Sequence, residues 1–341
     1  MGSASVWVMV VSALALGLAF VYLRMQEVVR LLLRAVLSSR YSFRVVGREN
    51  VPLKGGVVLA GNHTSWLDGF VLSNVSPRGG KVMVNASFFA NPLLHHLAVR
   101  VGIIPTPFSG PRAIRAALQG CREALVKGAA VGIFPEGQIS RTGLPGPFYR
   151  GIEVILKGHE EIPVIPVGID NLWGSVFSRS GGKFFLKRPK GWRRTINVVF
   201  GAPVSAPVTI WKLRLALMEA MVAAYELRGK PGEMLDSLDP ALPRWEHQEL
   251  GLLTASTGDI HLNDIHQVGH KEGSVGLAVP GVAIRAVDEW GAVLPAATEG
   301  RIEALKAGRG GWLDTGRRGS VDADGFVRLG DEAALMKMSG S

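Results

Sequence analysis

Between about residues 41 and 210 the chain alternates two textures. Short, nearly continuous apolar runs ("FRVVG", "GGVVLAG", "KVMVNA", "GIIPTPF", "AAVGIF", "IPVIPVGI", "TINVVFG") are separated by segments with helical apolar spacing. Those segments are "LDGFVLSNV", "NPLLHHLAVRV", "GPRAIRAALQGCREALVKG", "GIEVILKG" and "TIWKLRLALMEAMVAAYELR". Continuous apolar strands between helices predict an α/β domain with a mainly parallel, buried sheet flanked by helices. In such sheets chemistry gathers at the carboxyl ends of the strands.

The ends of the chain read differently. From Met1 to Leu23 no side chain is charged, and Ala4 to Tyr22 is almost wholly apolar. That is close to the roughly 20 residues that cross a bilayer core. Arginines 24, 30, 34, 40 and 44 follow it. The positive-inside rule then predicts a cytoplasmic (inner) membrane anchor with the rest of the chain facing the cytoplasm. The next run, "EVVRLLLRAVLSS", puts Glu27, Arg30 and Arg34 on one helical face, as in an interfacial helix. After Arg228, "GKPGEMLDSLDPALPRWEHQE" has the Pro, Gly and charge of a linker. Beyond it, short strand-like pieces between glycines predict a small β-rich module, near the lower limit for an independent core and expected to dock. The expected organisation is therefore membrane and interfacial helices over 1–40, the α/β domain over 41–228, a linker over 229–249 and the module over 250–341.

Composition narrows the partners. A net charge of +10 points to an acidic partner, and a hydrophobic content of 47% points to a membrane. The single cysteine, Cys121, excludes an intrachain disulfide and a cysteine metal cluster; it lies in an apolar-patterned helix, as a packing residue would.

The candidate chemistry lies at strand ends. In "GNHTSWLDGF" His63 precedes Asp68 by five positions where a strand-like run gives way to a helix-like one. An imidazole ordinarily titrates near about 6.5 and is a natural base at neutral pH. A carboxylate on Nδ1 would fix its tautomer. In "GIFPEGQISRTG" Glu136 and Gly137 follow a second strand. Together with "GIIPTPFSGPRAI" and "VIPVGI", in this order and spacing, these segments resemble the glycerolipid acyltransferases, the family that includes lysophosphatidic acid acyltransferases. The resemblance implies His63 as general base, Asp68 as its partner, and Glu136 and Gly137 at the acceptor's glycerol-phosphate region. It implies no cofactor and no metal, and the histidines show no ligand spacing. An acyl thioester, acyl-ACP or acyl-CoA, would be the donor substrate.

The family tends to carry an arginine in its second motif and another two residues after "FPEG". Here the arginines come later, at Arg112 and Arg141, which become the phosphate candidates. From Ser178 to Thr195 there are seven basic residues and no acid, with Phe184, Phe185 and Trp192 interleaved. That composition suits anionic headgroups or an acidic carrier protein; with the anchor in front of it, nucleic acid is not expected.

"FPEGQISRTG" and "FSRSGGKFFLKRPKG" are most similar to the acyltransferase half of bifunctional 2-acylglycerophosphoethanolamine acyltransferase/acyl-carrier-protein synthetases. Residues 250–341 resemble the late part of the adenylate-forming acyl ligases that form their second half. Arg317 follows Thr315 and Gly316 where those ligases have Thr-Gly-Asp, and the Gly/Ser/Thr-rich phosphate loop is missing, so no adenylation activity is expected. The resemblance implies a membrane-bound transferase that acylates a lysophospholipid hydroxyl, on 1-acylglycerol-3-phosphate or 2-acylglycerophosphoethanolamine. The alternative is a non-catalytic membrane adaptor that binds lipid or acyl carrier protein.

Overall fold

The computed structural model describes residues 3–106, 110–181, 193–229, 238, 241–262 and 265–330. Residues 182–192 of the basic stretch and 331–341 of the ligase-like region lie outside them, as do residues 230–237 and 239–240 of the expected linker.

Two helices open the chain, α1 (Ser3–Leu23) and α2 (Met25–Arg40). The window Val6–Leu23 has a mean hydropathy of 2.4 and none of it is buried. α2 turns its polar face inward. Gln26 donates to Gly80 O at 3.0 Å, Arg30 donates to Ser76 O and Leu37 is buried, while Leu31, Leu32 and Val36 stay exposed.

The α/β domain follows as β1 (Tyr41–Val46), β2 (Val57–Gly61), α3 (Asp68–Val75), β3 (Gly80–Asn85), α4 (Pro92–Arg100), β4 (Ile103–Thr106), α5 (Pro111–Val126), β5 (Ala130–Ile133), α6 (Gly151–Leu156), β6 (Val164–Asp170), β7 (Arg194–Phe200) and α7 (Ile210–Glu226). The sheet order is β1-β7-β6-β2-β5-β3-β4. Every pairing is parallel except β6 with β7. Central β2 is buried along its whole length because helices cover both faces, as the unbroken "VVLAG" predicts. One core cluster joins β2, β6 and β7 to α3; the other joins β2, β5 and β6 to α5, α6 and α7. Cys121 is fully buried in the second.

The C-terminal module is antiparallel: β8 (Arg244–His247), β9 (Gly251–Ala255), β10 (Ile260–Leu262), β11 (Ile265–Gln267), β12 (Leu277–Ala278), β13 (Val282–Val287), β14 (Gly300–Lys306), β15 (Trp312–Val321) and β16 (Val327–Leu329). Here the sequence expectation needs correction. β8 falls inside the expected linker 229–249 and pairs with β9, so the module begins before residue 250. The module docks as expected: Met218 of α7 packs on its core, and Leu144 is buried with Leu277 and Phe326.

Candidate active site

β2 and β5 are adjacent and parallel, and each hands its carboxyl end to a loop. Asn62, just past β2, clasps β6: its Oδ1 accepts from Ile169 N at 2.7 Å and its Nδ2 donates to Ile169 O at 2.9 Å. That two-way bond fixes the chain where His63 departs.

The His63 loop closes on Asp68. Asp68 Oδ2 lies 2.9 Å from His63 Nδ1 and accepts from the N–H groups of Thr64 (2.7 Å) and Ser65 (2.8 Å). Asp68 begins α3, where a negative charge also suits the helix dipole. It is fully buried, and Oδ1 has no hydrogen-bond partner among the described residues. Burial therefore raises its carboxyl above the ordinary carboxylate value, against the opposing pull of His63 and of the two N–H groups. With Nδ1 committed to Asp68, Nε2 is the ring atom left for chemistry. The imidazole stacks on Phe134 at 4.4 Å between centroids and is 19% exposed.

Glu136 departs from expectation. It was expected to meet an acceptor, yet it is 1% exposed and both of its oxygens hold main chain. Oε1 accepts from His63 N at 2.8 Å and Oε2 from Gly146 N at 2.9 Å. Ser140 N donates to His63 O at 2.7 Å, so the β5 loop grips both sides of the His63 backbone. Glu136 thus buttresses the His63 main chain. Burial pushes its carboxyl up to about 7, against the N–H groups of Gly146 and His63 and the charge of Arg214. Gly137 takes φ +64°, in a turn closed by its N–H on Phe134 O at 3.0 Å. A Cβ there would come within 2.8 Å of the Tyr149 ring, so glycine serves the turn and the close approach of that ring.

Comparison with known proteins gives a match over the part of the chain that carries both loops. Residues 42–170 match the Acyltransferase family profile. Over these residues the chain is similar to that family. A 1-acyl-sn-glycerol-3-phosphate acyltransferase of Brassica napus, BAT2, chloroplastic, is 31% identical over 128 residues, 37% of this chain and 37% of that protein. One from Bacillus subtilis is 26% identical over 175 residues, 50% of this chain and 78% of that protein. The chain thus spans little more than a third of the length of the first plant relatives it matches. The solved 1-acyl-sn-glycerophosphate acyltransferase PlsC of Thermotoga maritima overlays with a TM-score of 0.46 at 20% identity, over 62% of this chain and 81% of that one.

Within the α/β domain the two phosphate candidates part company. Arg112 is exposed in the first turn of α5, behind the edge strand β4, and among the described residues no hydrogen bond or ion pair ties it to the His63 loop. Arg141 follows Ser140 directly, and a second arginine comes close to it. Arg179 is lowered from the usual guanidinium value by burial and then by the Arg141 charge. The segment carrying Arg179 is stitched to the His63 loop, where Ser65 bridges Ser178 and Trp66 N donates to Phe177 O at 2.9 Å. Arg141 and Arg179 thus lie on two segments that both bond to the His63 loop.

Sequence reasoning missed Arg214 and Gln267, which hold the β5 loop from outside. Arg214 was detectable: it lies in the buried stripe Ile210, Leu213, Arg214, Leu217 of α7, where an apolar residue belongs. Gln267 carries no local signal. Spacing also missed a histidine pair. His261 and His266 face each other across the β10–β11 hairpin with rings 4.1 Å apart, and with Asp259 their ligand atoms lie within 4.8 Å of one another. All three residues are exposed.

Proposed function

We propose that the protein is a membrane-bound acyltransferase that moves a fatty acyl group from a thioester to a lysophospholipid hydroxyl. The single observation that carries this is His63, held by Asp68 through Nδ1 and stapled through its main chain by Glu136. His63 Nε2 takes the proton of the acceptor hydroxyl as its oxygen attacks the thioester carbonyl. The tetrahedral adduct then expels the thiolate, which receives that proton. Asp68 stabilises the imidazolium in between. The acceptor hydroxyl is itself the nucleophile.

Arg141 and Arg179 are suited to the acceptor's phosphate, since guanidinium forks match phosphate oxygens. The names of the relatives favour 1-acylglycerol-3-phosphate. The late arginine after "FPEG" favours 2-acylglycerophosphoethanolamine as a second reading. The acyl thioester of coenzyme A or of acyl carrier protein serves as donor. On this reading α1 crosses the bilayer and the exposed leucines of α2 rest in the interface. Tyr22, near the end of α1, meets His96 of α4 at 2.8 Å and Arg100 over its ring at 4.7 Å, which couples anchor to domain. Leu93 and Leu94 on α4 are exposed beside that contact, as a bilayer-facing surface requires.

Membranes carrying wild-type or His63→Ala protein, given a labelled acyl thioester and a panel of lysolipids, test the reading. Product from wild type alone supports it, and the panel identifies the acceptor. Equal product from both would leave the adaptor reading in its place.

A further inference from the structure

The loop that buttresses His63 is anchored from two sides, by α7 of its own domain and by the C-terminal module. Gly146, whose N–H binds Glu136, offers its carbonyl to Arg214 Nη2 at 2.5 Å. Arg214 is 6% exposed, lies over the Phe148 ring at 4.1 Å and donates from Nε to Ala323 O of the module at 3.1 Å. Gly325 lies against the same guanidinium, where a Cβ would approach Nη1 to 3.1 Å. A second tie runs from β11: Gln267, 2% exposed, accepts from Arg141 N at 2.8 Å and donates to Thr142 Oγ1 at 2.9 Å. Between these ties Leu144 is buried against Leu277 and Phe326.

Resting on the reading of His63 as the base, we propose that the C-terminal module is a working part of the transfer site. Gln267 and Arg214 act as positioning residues: they set the 136–146 loop, through it the His63 main chain, and with it Arg141. The ligase-like region thus contributes to acyl transfer by buttressing, with no chemistry of its own required.

The physical case is one of satisfied buried groups. The Arg141 N–H finds Gln267 only with the module docked, and the Arg214 guanidinium that holds the Gly146 carbonyl is itself held by Ala323 O of the module; a buried polar group stripped of its partner is costly. The two ties reach different functions. Gln267 sets Arg141, so it governs acceptor binding. Arg214 faces Glu136, Asp322 and Asp324, and Lys271 holds the two aspartates at 2.6 and 2.7 Å. Burial lowers Arg214 only to about 10, so it is cationic at neutral pH and favours the ionised form of Glu136. Ionised Glu136 accepts from both His63 and Gly146.

Steady-state kinetics of the full-length protein in membranes separate the two ties. Gln267→Leu raises the acceptor KM by about tenfold, the weight of one lost buried hydrogen bond, and leaves the pH profile in place. Gln267→Glu keeps an acceptor for the Arg141 N–H and restores the KM. Arg214→Met lowers kcat and moves the acid limb of the profile to higher pH, because the attraction that favours ionised Glu136 is gone. Arg214→Lys keeps the charge and leaves the limb where wild type has it, including if the methionine variant does not fold. Hydrogen exchange gives a readout independent of activity: in Gln267→Leu the amides of residues 140–146 and of His63 exchange faster than in wild type. Folded variants with wild-type KM, pH profile and exchange would overturn the proposal. A wild type that transfers no acyl group, with faster exchange still seen in Gln267→Leu, would sink the reading of His63 as base and leave the buttress standing.

Discussion

The loops after β2 and β5 leave neighbouring strands at the same edge, and each is built around one buried carboxylate. They are wired in opposite ways. Asp68 gathers partners from within five residues: the His63 ring and the N–H groups of Thr64 and Ser65. Glu136 reaches 73 residues back to His63 and 10 forward to Gly146, and its loop is tied to Arg214 and Gln267 beyond. A locally closed loop can hold a reactive ring with little help. A loop closed at long range takes its shape from whatever docks on it, so the second loop makes the first sensitive to the rest of the molecule.

The largest effect should come from the local loop. On the proposed mechanism His63→Ala removes the base and should cost about 10²–10⁴-fold in kcat, and Asp68→Asn should approach ~10⁴ by releasing the tautomer, both measured as initial rates of labelled acyl transfer. Retention of a tenth of wild-type rate by either variant would break the comparison at its root.

Next comes Glu136→Gln, which sets an amide donor against one of two N–H groups. A loss of about 1–3 kcal/mol in stability and roughly ten- to hundredfold in rate is expected. Its pH signature is sharper. The folded carboxyl sits at about 7 against an ordinary 4.5, so the folded state holds its proton more tightly than the unfolded state does. Wild-type stability at this group is therefore greatest below 4.5, falls as pH rises to 7 and is flat above. The variant lacks that decline, so thermal unfolding at several pH values should show its deficit shrinking as pH rises. Its rate profile should also lose any limb near 7.

Smaller changes are expected at the arginines. Arg141→Gln or Arg179→Gln should raise the acceptor KM about tenfold, with kcat nearly unchanged, as for a lost charge-assisted contact to phosphate. Arg112→Gln should change KM less than about twofold, in line with an exposed charge away from the site. Titrating acceptor at fixed donor separates the three.

The same local-versus-distant contrast explains what was readable from sequence. The strands and helices of the α/β domain follow from apolar runs and helical spacing because their partners lie in regular order. His63 and Asp68 are legible because five positions at a strand–helix junction suffice to bring them together. Glu136 is legible as a position and misleading as a role: nothing in "FPEG" says that both carboxylate oxygens face main chain. β15 escaped notice because "WLDTGRRGSV" buries only Thr315 and Gly319 and shows no apolar run, and β8 because it buries only Trp245. Gln267 escaped because its partners lie 125 and 126 residues away.

Cys121 offers a practical consequence. It is the chain's single cysteine, fully buried in α5, and burial pushes its thiol up to about 12. Thiol reagents act on the thiolate, so the folded protein is a nearly silent background for maleimide or spin-label chemistry. A cysteine introduced at an exposed position, such as Leu16 in α1 or Leu94 in α4, can then report its depth in a bilayer without removal of the native thiol.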